Sequence, residues 1–122
     1  MKRENVVQEK AFAFAVKVVR TYQTLIENNK EFVLSRQLLR SGTSIGANIE
    51  EAIGSHSGKD FLFKIGISYK EARETIYWVK LLKEVDYLSA PDAISLIEDA
   101  EELCRIISAI QITMKSKIRN PK

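Results

Sequence analysis

Apolar residues along this chain recur at steps of three and four, the rhythm of one face of an α-helix. The first run is Phe12, Ala15, Val19, Tyr22 and Ile26, and Asn28 and Asn29 break it. The second holds Leu38, Gly42, Ile45, Ile49 and Ala52, and the third Leu62, Ile65, Tyr69, Ala72, Ile76 and Val79. The fourth is Ala93, Leu96, Ala100, Leu103, Ile107, Ile110 and Met114. Between the second and third lies the turn cluster Gly54-Ser55-His56-Ser57-Gly58, where Ser57 followed by Asp60 is a capping signal. Ser89 with Pro91 and Asp92 opens the fourth segment. The pattern predicts helices over about 4–28, 31–54, 58–86 and 90–118, with the basic tail KSKIRNPK frayed. Four amphipathic segments on short turns predict an all-α, up-down-up-down antiparallel four-helix bundle, one domain over residues 1–122.

The stretch LLRSGTSIGANIEEA, residues 38–52, disturbs this picture. Glycine and hydroxyl residues are poor helix formers, yet they crowd between its apolar positions. A phosphate-cradling loop would need Gly-Lys-Ser/Thr after a strand, which GTSIG lacks. Gly42 and Gly46 stand four apart, neighbours on one helical face, where a missing side chain lets a second helix approach closely. The stretch therefore reads as helix. Beside the apolar line runs a polar one, Gln37, Ser41, Ser44, Asn48 and Glu51. Antiparallel pairing about the turn at His56 sets Arg40 level with Ala72, so Arg40 is placed to bridge Glu71 or Glu74.

One stripe per helix does not consume the apolar residues. Phe14 and Val18 lie off the first line, and Phe61, Phe63, Ile67, Tyr77, Trp78 and Leu81 off the third. Ile94, Ile97 and Ile106 lie off the fourth. Two readings stand: wide core-facing stripes, or a second buried face and hence self-association. The second is the expectation carried forward.

Composition narrows the chemistry. Nineteen basic residues against 16 acidic ones give a formal charge of +3, which permits nucleic-acid binding only if the charges segregate. The single cysteine, Cys104, excludes an internal disulfide and a cysteine-based zinc site, and its place beside the Leu103–Ile107 seam makes it a small core residue. The only histidine, His56, lies in a turn with Ile53 three residues before it, so a Glu-x-x-His di-iron site is excluded. A solvated loop histidine is also no catalytic base. No carboxylate spacing marks an acid–base pair; no enzyme and no cofactor are expected. The opening MKRENVVQEK has no apolar stretch behind its charges, and AFAFAV at 11–16 falls far short of the roughly 20 residues of a membrane helix. A cytoplasmic protein without a membrane partner is expected.

The runs FVLSRQLLRSGTSIGANIEEA and GSHSGKDFLFKIGISYKEARETIYWVKLL resemble the 23S ribosomal RNA intervening-sequence proteins, a four-helix-bundle family. The resemblance spans nearly the whole chain and is specific at residues 36–82. Signature positions match at Arg40, Ser41, Gly42, Ser44, Ile45, Asn48, Glu51, Lys70, Glu71, Glu74 and Trp78. The family is related to the accessory variability determinant of diversity-generating retroelements, a basic pentameric bundle that binds a reverse transcriptase and nucleic acid. The resemblance implies a homopentamer and brings with it no catalytic residue.

Two functions follow as expectations. A nucleic-acid-binding or retroelement-associated accessory protein would neutralise phosphates of RNA or DNA. Candidates are Arg36, Arg40, Lys59, Lys64, Lys70, Arg73, Lys80 and Lys83, although Asp60, Glu74 and Glu84 stand four residues from Lys64, Lys70 and Lys80, as in ordinary intrahelical pairs. Tyr77 and Trp78 read as packing residues rather than base-stacking ones. The alternative is a structural oligomer that scaffolds a protein partner and has no nucleic-acid role, with charges serving solubility. Interface and packing candidates are Gly42, Gly46, Asn48, Glu51, Glu71, Glu74, Tyr77, Trp78 and Leu81.

Overall fold

The computed structural model describes residues 3–121. It contains four α-helices: α1 (Arg3–Glu27), α2 (Leu34–Ile53), α3 (Gly58–Glu84) and α4 (Ala90–Arg119). Each packs on its neighbours in chain order and α4 closes back on α1, so the bundle has four edges and two untouched diagonals among the described residues. One core runs down the axis, with Val7, Phe14, Leu25, Leu38, Ile49, Ile65, Leu82, Leu96 and Ile107 buried at successive levels.

The lines read on α2, α3 and α4 are those that face the core, with Leu62, Tyr69 and Met114 half-buried at its margin. That on α1 is not. Val7, Ala11, Phe14, Val18 and Leu25 point inward, while Phe12 is 71% exposed and Val16 and Val19 are also exposed. Helix α1 carries two apolar stripes, and the inner one is the line that fits against the glycines of α2.

The start of α2 also departs from expectation. It begins at Leu34 rather than 31, because Glu31 folds back as an external cap. Its carboxylate accepts from the Ser35 amide at 2.6 Å and the Val33 amide at 3.2 Å, and the Ser35 hydroxyl donates to its carbonyl at 2.6 Å. Orphan amides of the first turn are thus satisfied from upstream. The α3 and α4 caps are of the ordinary kind: Ser57 Oγ accepts from the Asp60 amide and Ser89 Oγ from the Asp92 amide. The tail does not fray at residue 115. Helix α4 continues to Arg119, with Lys117 and Arg119 in the last turn, where cations suit the helix dipole. Lys122 lies outside the described residues.

Candidate functional site

The four edges of the bundle differ in chemistry. Along α2–α3, the Ser41 and Thr75 hydroxyls pair at 3.0 Å, and Ser68 Oγ donates to the Ile45 carbonyl at 2.8 Å, all fully buried. Thr43, Ser44 and Asn48 hydrogen-bond to carbonyls one turn back on α2. Outside this hydroxyl seam, Arg40 pairs with Glu71 at 2.9 Å and with Glu74, whose carboxylate also accepts from the Trp78 indole at 2.9 Å. The indole, opposed by partial burial and aided by Arg40, holds Glu74 below the ordinary carboxylate range. Lys64 reaches across to Glu51 at 2.8 Å, a contact that raises its pKa. The signature positions on this edge thus serve largely to join α2 to α3.

Charges also close the α1–α4 edge. Lys17 contacts Asp99 at 2.7 Å and the Ser95 hydroxyl, and Lys10 pairs with Glu102 at 3.4 Å.

The α1–α2 edge carries no ion pair among the described residues; Gln8 donates to Glu50 at 2.7 Å near one end, and the rest is greasy. Val18 of α1 packs where a Cβ on Gly42 would lie 2.7 Å from both its γ-methyls, so that glycine does permit close approach. Gly46 does not match it: a Cβ there would sit 3.5 Å from the Ala11 carbonyl oxygen, ordinary contact. Outside this contact the second stripe of α1, Phe12, Ala15, Val16, Val19, Tyr22 and Ile26, shares the edge with Leu39 and the exposed Ile53 of α2.

The α3–α4 edge, opposite the greasy one, carries unpaired basic residues. Lys59, Phe63, Lys70 and Tyr77 step by four and seven along one outer line of α3, all exposed. Phe63 is 65% and Tyr77 58% exposed, so within one chain aromatic rings interleave with lysines and the Tyr77 ring is not packed into the core. The Tyr77 ring meets Trp78 edge-on, at 5.0 Å between centroids. Arg73 and Lys80 lie nearer α4, Lys83 ends the helix, and Arg36 stands alone on α2. None of Arg36, Lys59, Lys70, Arg73, Lys80 or Lys83 makes an ion pair among the described residues, whereas Arg40 and Lys64 are engaged by carboxylates. The intrahelical pairs expected at Lys64 and Lys70 do not form among the described residues: Glu51 of α2 takes Lys64, and Glu74 turns to Arg40 of α2 and to Trp78. Leu81 is half-buried.

A groove of about 540 Å³ between α3 and α4 is lined by Tyr69, Arg73, Glu101, Arg105, Ser108 and Ile112, with the buried Cys104 at its base. Burial pushes the Cys104 thiol up. His56 is exposed in its turn. Among the described residues no group of three acidic, histidine or cysteine side chains could hold a metal ion, and no helix is long and apolar enough to cross a membrane.

This arrangement has known counterparts. A crystal structure of a protein with unknown function from the S23 ribosomal protein family of Bacteroides thetaiotaomicron VPI-5482 is 44% identical, with a TM-score of 0.89 over 90% of this chain and 98% of that one. No functionally curated protein matches. The family model described as 23S rRNA-intervening sequence protein matches residues 3–109, nearly the whole bundle, and the chain belongs to that family.

Proposed function

We propose that this protein is a non-enzymatic, self-associating bundle that buries its α1–α2 edge between copies and presents the outer face of α3 to RNA or DNA. One observation carries the reading: the exposed apolar stripe and the unpaired basic-aromatic line occupy opposite edges, while ion pairs occupy the two edges between them. An exposed apolar stripe such as Phe12, Val16 and Val19 is the kind of surface that contacts between chains cover. The resemblance implies five copies, and a cyclic pentamer would repeat the α3 face fivefold, raising avidity without a strong single site. Lysines on the α3 line would neutralise phosphates, and Phe63 and Tyr77 offer faces for unpaired bases. A cytoplasmic location suits this role.

The test has two arms. Light scattering on the wild type and on Val16→Glu, with helicity checked by circular dichroism, reads assembly. A wild-type particle of one subunit's mass sinks the self-association half. Titration of labelled RNA and DNA at low and moderate salt, on wild type and a Lys70→Gln/Tyr77→Ala double variant, reads the other half. Binding that weakens steeply with salt and further in the variant is expected. No binding at low salt leaves the second reading, a scaffold for a reverse transcriptase or other protein, which the neutralisation of Arg40 and Lys64 favours.

A further inference from the structure

We infer that the groove between α3 and α4 is a site for one nucleotide unit, its phosphate held between Arg73 and Arg105 and its ring laid along Tyr69 and Ile112. This deepens the nucleic-acid reading, since Arg73 belongs to both, but the groove stands on its own geometry.

Arg73 comes from α3 and Arg105 from α4, yet both line one concavity, and neither makes an ion pair among the described residues. The α2–α3 and α1–α4 edges spend cross-helix cations on carboxylates. Glu101 precedes Arg105 by four residues, the favourable order for an intrahelical pair, and still no such pair forms among the described residues. Two guanidinium groups lining one groove from separate helices suit a phosphate, whose oxygens accept their N–H donors.

The remaining walls limit what the phosphate is attached to. Tyr69 and Ile112 give an aromatic and an aliphatic side suited to a planar ring, and the volume of about 540 Å³ lies within the range of roughly 300–1,000 Å³ usual for small-molecule sites. The Ser108 hydroxyl and the Glu101 carboxylate are placed for polar groups of the sugar or base. Glu101 also disfavours a second and third phosphate, so the site suits a monophosphate or one residue of a chain. The ligand has two sources, a free 5′-nucleotide or a nucleotide within single-stranded RNA.

Calorimetric titration with AMP, a short single-stranded RNA and inorganic phosphate, on wild type, Arg105→Gln and Lys70→Gln, tests the inference. Arg105 lies outside the α3 line, and circular dichroism confirms that the variants fold. AMP binding that falls about tenfold in Arg105→Gln, the loss of a charge-assisted contact, and is unchanged in Lys70→Gln supports the site. RNA binding that is lost in Arg105→Gln while AMP fails to bind supports it with the chain as source. AMP binding without RNA binding keeps the groove, with a free nucleotide as its ligand, and removes the proposed nucleic-acid function. RNA binding indifferent to Arg105→Gln, with no AMP binding, overturns the groove and spares that function. AMP binding equal in wild type and Arg105→Gln overturns it, as does inorganic phosphate binding as tightly as AMP.

Discussion

Val18 of α1 occupies the space a side chain on Gly42 of α2 would need, its γ-methyls 2.7 Å from the position of the missing Cβ. Val18 is fully buried and β-branched, so it has no free rotamer into which to retreat. Gly42→Ala is therefore expected to cost ~1–3 kcal/mol through overpacking. Gly46→Ala, whose Cβ meets only ordinary contacts, should be neutral or stabilising by up to ~1 kcal/mol, because alanine replaces glycine within a helix. Urea denaturation of both variants checks the contrast. Equal midpoints would remove the close-approach account of Gly42. Val18→Ala in the Gly42→Ala background should recover part of the loss.

Glu31 gives the fold an acid limit. Burial alone would raise its carboxyl, but the amides of Ser35, Leu34 and Val33 with the Ser35 hydroxyl outweigh burial and hold it below the ordinary carboxylate range. A group depressed in the folded state contributes stability above its unfolded pKa, about 4.3, and loses it as pH falls toward the folded value. Wild-type stability should thus fall below about pH 4.3, partly through Glu31. Glu31→Gln should cost ~1–3 kcal/mol at neutral pH and flatten that acid slope. Denaturation midpoints between neutral and strongly acid pH read both effects.

Ser41 and Thr75 form a buried couple, and the Thr75 hydroxyl also lies 2.7 Å from the Glu71 carbonyl, so its one proton serves one of the two partners at a time. Ser41→Ala or Thr75→Val alone leaves the partner hydroxyl short of a hydrogen bond, at ~1–2 kcal/mol each. The double variant should lose less than the sum, since no orphan remains. Additive losses would mean the two hydroxyls are energetically independent.

The α1–α4 ion pairs should matter little. Lys17 and Asp99 both retain more than a third of their side-chain exposure, and exposed pairs contribute ~0–1 kcal/mol. Asp99→Asn should shift stability by less than ~1 kcal/mol, and less again in high salt. A larger change in thermal melting would show that this edge is tighter than its geometry indicates.

Three of the four core-facing lines were legible because each of those helices has one dominant apolar stripe. Helix α1 has two, Val7-Ala11-Phe14-Val18-Leu25 and Phe12-Ala15-Val19-Tyr22-Ile26, both with helical rhythm. Nothing within α1 decides between them. The decision lies on α2, where Gly42 leaves a notch that Val18 fits. The Arg40 bridge to Glu71 and Glu74 was legible because antiparallel level and opposite charge agreed. The cap at Glu31 was not, since it acts from before the helix across two apolar residues, Phe32 and Val33, a pattern unlike a Ser-x-x-Glu box. The basic line on α3 was visible as residue types, but its aromatic members depended on which rings the core left exposed.

The hydroxyls of Ser41, Ser68 and Thr75 have a consequence for how the molecule comes apart. Hidden from water, the Ser41–Thr75 and Ser68–Ile45 bonds form at one alignment of α2 on α3 only. Sliding either rod by a turn would break both at once. That hairpin must therefore let go in a single step, and the amide protons of its facing turns should be the slowest in the chain to exchange with deuterium.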